Sequence, residues 1–258
     1  MNNNAANMSS LSLVLSFALV MIGLAINYKE ELGLGKDIII GIARMIIQLF
    51  IVSFVLNYVF GLDNKFVTLA IISFMSLNAA YNASLRGKDI PNAFKISLIS
   101  IIGGVAISLI LLVATGAISF TAQQMIPITG MLGGNAMNII GLSFRNLNLS
   151  FNDNKQKVEE KLALGATSKE ASKDIMKEAI KGATQPTVDT TKTVGLVALP
   201  GMMSGMMIAG VDPLMAIKYQ IMVYFMLIAT AMVTAVLAVY QATPHYYEDG
   251  RLKSKNKK

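Results

Sequence analysis

From Ile96 to Phe144 the chain carries no Asp, Glu, Lys or Arg. A bilayer core about 30 Å thick is crossed by about 20 helical residues, so this single run has room for two crossings. Met1 to Tyr28, Thr193 to Val211 and Gln220 to Tyr247 are equally free of those four residue types. In hydrocarbon only helices and closed barrels satisfy their own backbone hydrogen bonds. These runs are long and do not alternate in polarity, which excludes barrel strands. Charged residues make up only 14% of the chain, against about 25% in soluble domains. The expected fold is therefore an all-α integral membrane protein.

The apolar runs predict about seven transmembrane helices, at 9–28, 37–60, 66–85, 93–116, 121–148, 193–211 and 213–241. Lys and Arg accumulate in cytoplasmic loops, which sets the orientation. With the N-terminus outside, Lys29 and Lys36, then Arg86 and Lys88, then the lysine-rich stretch 152–192 all fall inside. So does the tail with Arg251, Lys253, Lys255, Lys257 and Lys258. The C-terminus is thus expected in the cytoplasm. MNNNAANMSS lacks the basic start of a signal peptide, so the first apolar run is expected to stay as a helix. The whole of 1–258 is expected to be a single transmembrane domain.

Several chemistries are missing. There is no cysteine and one histidine, His245, so disulfides, thiolate metal sites and serine triads are ruled out. Gly35-Lys36-Asp37 and Gly87-Lys88-Asp89 lack the spacing and the following Ser/Thr of a phosphate-binding loop. No cofactor is expected to bind this chain, and any ATP is handled by another one. The net charge of +7 lies in loops and tail, as juxtamembrane lysines do, so the expected partner is the lipid bilayer and not nucleic acid.

Two predicted spans contain helix breakers. The fifth holds Pro127, Gly130, Gly133 and Gly134, and the sixth holds Pro200, Gly201, Gly205 and Gly210. Broken helices persist at membrane depth only where protein or a wet cavity covers the freed backbone groups, so two of them together suggest a transport route. Close packing through small residues is the competing account. The candidate lining is Gln48, Asn135, Asn138, Pro200, Gly201, Met202, Met203 and Ser204, with Asn78 and Asn82 as further polar candidates. Arg44 is read as snorkelling to the interface. The methionines are read as flexible filler, and Asp212-Pro213 as a helix cap. No metal ligand set is identified.

The polar stretch 152–192 reads as two helices joined at a tip. The first covers about 155–164 and stops at Gly165. The second starts at Thr167 or Ser168, where Thr167 and Glu170 have capping-box spacing, and is expected to end at Pro186. Ala171, Ile175, Ala179 and Ile180 form an apolar stripe. The pair is either an amphipathic surface element or a docking element for a soluble partner. Glu160, Leu164, Gly165, Ala166, Thr167 and Glu170 are the candidate contact residues.

Three motifs occur in order: PITGMLGGNAMNIIGL at 127–142, LALGATSKEA at 162–171, and PTVDTTKTVGLVALPGMMSGMMIAGVDPLMAIKYQI at 186–221. Glu160 followed by the Gly165 turn resembles the coupling segment of ABC-transporter permeases. Together the motifs resemble the Fet-type metal-exporter permeases and the plant aluminium-sensitivity membrane proteins, over nearly the whole chain. That resemblance implies the membrane half of an ABC exporter, homodimeric and driven by a separate ATPase subunit, with iron as the cargo of bacterial members. Plant relatives are linked to aluminium tolerance and nucleotide-sugar export. An ATP-independent carrier or channel, or a scaffold that only docks an ATPase, are the alternatives. Where the family pattern reads threonine, glycine, glutamine, this chain has Ser204, Gly205 and Met206, which removes an amide.

Overall fold

The structure is a computed structural model that describes residues 10–62, 64–248 and 251–253. The first nine residues, with the start of the first expected span and the N-terminal end of the orientation, lie outside the described residues. So do Lys255, Lys257 and Lys258. Among the described residues, five helices are long and apolar enough to cross a membrane, and a shorter apolar stretch covers Val14–Lys29.

The chain divides into two compact units, 1–63 with 202–216, and 64–201 with 217–258. The first contains α1 (Ser10–Lys29) and α2 (Gly35–Leu62). Between them Gly33 adopts φ +72, and the Leu34 amide donates to Asn27 Oδ1 at 2.9 Å, which fixes the turn. The face of α2 that carries Ile39, Ile46, Phe50 and Phe54 is exposed, as suits a helix bathed in lipid. Gln48 and Arg44 are exposed on the same helix.

The second unit contains α3 (Lys65–Ser84), α4 (Ala93–Ala114), α5 (Ala122–Asp153), α6 (Lys155–Ala163), α7 (Ser168–Ala171) and α8 (Lys173–Thr193). Asn64 caps α3 by accepting from the amides of Phe66 and Val67. α5 is the central element and packs against α3, α4 and α8. Leu132, Ile140, Phe144 and Leu147 along it are fully buried. α9 (Gly201–Ile208) and α10 (Pro213–Ala242) follow, with residues 217 onward of α10 in the second unit.

α4 and α10 meet along a hydroxyl seam. Ser108 and Thr230 share a hydrogen bond of 2.8 Å, and the Thr230 and Thr234 hydroxyls donate to the carbonyls of Gly104 and Ser100, each at 3.3 Å. Ser100, Gly104 and Ser108 recur every four residues, which is the small-residue spacing that lets membrane helices approach closely.

Three features differ from the sequence-based expectations. α5 is not broken: it runs unbroken through Pro127 and the glycines for 32 residues. Pro127 sits in its second turn, so only one rung of the ladder is lost. α8 does not stop at Pro186 but continues to Thr193. Ala183, at the middle of α8, is buried in a cluster with Ile139 of α5 and with Ala231 and Ala235 of α10.

The sixth expected span, 193–211, is not a membrane-crossing helix. Gly195 takes φ +82, residues 194–200 are not helical, and α9 has eight residues. Eight residues reach about 12 Å, well short of a bilayer core of about 30 Å. α9 ends where the amides of Gly210 and Val211 turn back to the carbonyls of Met207 and Met206, with Gly210 at φ +90. The reading of Asp212 as a cap is matched: its Oδ1 accepts from the amides of Leu214 and Met215 at 3.0 and 3.2 Å.

Candidate functional site

Two places in the second unit carry the polar chemistry. The first is the tip between α6 and α7. α6 ends in paired bonds from the Gly165 amide to the Leu162 carbonyl and from the Ala166 amide to the Lys161 carbonyl, each 3.0 Å. This closure needs a left-handed residue at its centre, and Gly165 supplies it with φ +92. On the far side Thr167 and Glu170 form the expected capping box. The Thr167 amide donates to Glu170 Oε2 at 2.9 Å, and the Glu170 amide donates back to Thr167 Oγ1. Hydrogen bonds from the Thr167 hydroxyl and then its amide hold the Glu170 carboxyl below the usual carboxylate range.

The base of the tip is tied down. Lys161 Nζ bonds Asp174 Oδ2 at 2.9 Å, which also holds the Asp174 carboxyl low. Val158 of α6 is buried, as are Ile175, Met176 and Ala179 of α8. The apolar stripe of α8 is therefore spent within the protein and is not left for a membrane surface. α8 approaches α5 closely at Gly182, where an added Cβ would lie 2.6 Å from Asn146 Nδ2. The C-terminal chain also reaches this end. Tyr246 stacks on Phe151 with ring centroids 4.2 Å apart, its hydroxyl donates to Asn148 Oδ1, and Tyr247 shares a hydrogen bond with Ser172. At the apex, Leu164 is 89% exposed and touches no core. Glu160 is exposed on α6 and bonded to Gln156.

The second place is a cleft of about 280 Å³ between α3 and α5. Met75, Asn78, Ala79 and Asn82 line it from α3, and Thr129, Gly130, Gly133, Gly134 and Met137 line it from α5. The glycines divide by role. An added Cβ would come 3.0 Å from Met75 Cε at Gly130 and 2.6 Å from Arg86 Cδ at Gly141, so these positions let α3 and the chain after it lie close to α5. At Gly134 the same atom would meet nothing within 4 Å. That glycine opens onto the cleft. Close packing thus holds at Gly130 and Gly141, while Gly134 meets no neighbour.

Of the candidate lining residues, Asn138 is drawn into a contact: Arg86 Nη1 donates to its Oδ1 at 2.9 Å. Asn135 is partly buried on another side of α5, and its Nδ2 has no hydrogen-bond partner. Pro200 and Gly201 head α9, and Met202, Met203 and Ser204 follow in its first turns. Gln48 lies on α2. Sequence reasoning treated Arg86 only as a loop charge and did not single out Thr129. Asn78, Asn82 and Arg86 recur every four residues, and continuing that period past the helix end was the available signal.

The model of the uncharacterised protein family UPF0014 matches residues 10–247. The chain belongs to this family. It is 47% identical over 244 residues to the "Probable iron export permease protein FetB" of Escherichia coli, covering 95% of this chain and 94% of that one. It is 34% identical over 232 residues to "Protein ALUMINUM SENSITIVE 3" of Arabidopsis thaliana, covering 90% and 85% of the two chains. The UPF0014 membrane protein YjkA of Bacillus subtilis is 34% identical over 236 residues, at 89% and 92% coverage. No solved structure matches the chain. With its apolar helices and these relatives, this UPF0014 member is a multi-pass membrane protein.

Proposed function

We propose that the chain is the membrane-spanning permease subunit of an exporter that is powered by a separate ATPase and carries a metal ion, iron first. One observation carries the ATPase part: an exposed apolar apex at Leu164-Gly165, with Ala166 partly buried beside it, held by bonded turns on both sides and by the Lys161–Asp174 pair beneath. A monomeric surface has no reason to order such a point in water, whereas a cleft on a partner does. An ATP-independent carrier has no use for it. The likeness to FetB supports iron as cargo and export as the direction.

In this reading the tip faces the cytoplasm with the tail, and the N-terminus is outside. The sixth of about seven crossings, 193–211, is then interrupted at the turn 194–200, which suits a route through the membrane better than a lipid-facing helix. Two copies of the chain stand over two ATPase subunits.

The test is co-purification. Gly165→Glu places a charge, and a residue unsuited to φ +92, at the centre of the contact. The expected result is loss of the ATPase from the purified complex while the variant still inserts in the membrane. Undiminished recovery of the ATPase would refute the docking role.

A further inference from the structure

The lysines of the α7–α8 segment fall on one line. Lys173, Lys177 and Lys181 follow at four-residue steps along α8, and Lys169 of α7 precedes them by the same step. All four are exposed, and among the described residues none of them forms a salt bridge. Like charges four apart on a helix repel and destabilise it. The nearby acids are engaged elsewhere. Glu170 accepts from the Thr167 amide and hydroxyl, and Asp174 is paired with Lys161. Glu178 lines a different groove, between α6 and α8, with Asp174, Lys157 and Lys161.

Three of these lysines, Lys169, Lys173 and Lys177, line a pocket of about 250 Å³. Its only carboxylate is Glu170, and Met176, Ile180 and Tyr240 are its apolar lining. Three ammonium groups against one carboxylate leave positive charge uncompensated. The apolar side of the pocket continues onto α10, where Met232, Val236 and Tyr240 are exposed at four-residue steps. They stand in the run from Gln220 to Tyr247 that holds no Asp, Glu, Lys or Arg. Ile180 packs against the cluster that contains Ala231 and Ala235, so α8 lies beside α10 here. An exposed tyrosine closing an apolar stripe is placed as tyrosines are where hydrocarbon meets headgroups. The pocket therefore sits where a lipid-facing surface ends and a row of unpaired cations begins.

From this juxtaposition we infer that the pocket binds the phosphate headgroup of an anionic phospholipid, with an acyl chain lying along the Met232–Val236–Tyr240 stripe. Ammonium groups are strong donors to phosphate oxygens, and their long stems can lie along apolar surface while the charged ends reach a headgroup. About 250 Å³ is below the roughly 300–1,000 Å³ of pockets that take drug-sized ligands, so it holds the headgroup and leaves the chains to the open stripe. A soluble acidic partner would use the lysines but leave the stripe idle. The bound lipid offsets the repulsion along α7–α8 and ties the base of the tip to the bilayer. The inference rests on the proposed function in one respect, that the end carrying the tip faces the cytoplasm, the side where anionic lipids collect.

The chain has no tryptophan, so Val236→Trp, one turn from Tyr240 on the exposed stripe, is a lone fluorescent reporter. The purified full chain carrying it is reconstituted in phosphatidylcholine vesicles with added brominated phosphatidylglycerol or brominated phosphatidylcholine, whose bromines quench tryptophan nearby. Phosphatidylglycerol should quench at the lower mole fraction, and added salt should weaken that preference. Lys173→Gln and Lys177→Gln should each reduce it, by up to about fivefold, whereas Lys173→Arg should keep it. Lys155→Gln with Lys157→Gln removes charge from exposed positions of α6 that do not line the pocket and should change little. Gel filtration of each variant reports folding. Equal quenching by the two lipids, or a preference that the α8 variants leave intact or the α6 pair reduces as much, overturns the inference. Relief of quenching by inorganic phosphate beyond that of chloride at equal ionic strength also overturns it, in favour of a soluble phosphate ligand. Loss of the ATPase on co-purification of the α8 variants, with quenching unchanged, overturns it in favour of a protein partner. The vesicles hold the lipid in both leaflets and no ATPase, so the quenching result stands apart from the orientation and docking of the tip.

Discussion

Replacing Gly104 with valine drives α4 and α10 apart at one point whose geometry is known. The first added carbon would fall 2.3 Å from Thr234 Oγ1, 3.1 Å from the Thr230 carbonyl oxygen and 3.3 Å from Thr230 Cγ2. Thr234 can rotate away, but it then gives up its bond to the Ser100 carbonyl, about 0.6 kcal/mol for a hydrogen bond between membrane helices. The Thr230 backbone cannot rotate away, so the helices must separate slightly. Overpacking of this kind costs about 1–3 kcal/mol. Valine is a better helix former than glycine, which offsets roughly 0.4 kcal/mol. The net expectation is a loss of about 1–3 kcal/mol. Gly134→Val is the matched control, since it makes the same chemical change in a neighbouring helix where nothing lies within 4 Å of the added carbon. It should fall within about 0.5 kcal/mol of the parent. Unfolding in mixed micelles with increasing sodium dodecyl sulfate, followed by far-ultraviolet circular dichroism, measures both. Equal stabilities for the two variants would refute the close approach of α4 to α10.

The tip contacts should respond to acid in a defined direction. Glu170 and Asp174 are both held below their ordinary values in the folded protein, so they stabilise it above the unfolded-state value and cease to do so as pH falls through the folded one. The carboxyl carbon resonances of both should titrate below their model-peptide values, and midpoints at or above those values would contradict the geometry. Orientation is open to a fusion test: a reporter active only outside the cell should work when joined at Ser119 and stay silent at Lys88, Lys173 and Lys253. External activity at Lys173 would invert the assignment.

Much of the helical frame was legible in the residues because lipid imposes a one-dimensional rule. A charge-free apolar run about 20 residues long must be a helix, and α2, α3, α4 and α10 begin and end within about two residues of the expected positions. The capping box at Thr167 and Glu170 and the cap at Asp212 were equally local, each decided by a few adjacent residues. Glycine and proline were ambiguous for the opposite reason. Their effect depends on what stands opposite them. Pro127 near a helix start left α5 whole, whereas Gly195 and Pro200 divide the stretch after α8. Gly141 packs on Arg86, while Gly134, two turns away, faces open space. The cleft followed the same logic: Asn78 and Asn82 stood out in sequence only as polar residues on their own helix, and Thr129 did not stand out at all. Only when α3 lies along α5 do Asn78, Asn82 and Thr129 line one space, because residues about 50 apart in the chain meet solely through helix packing.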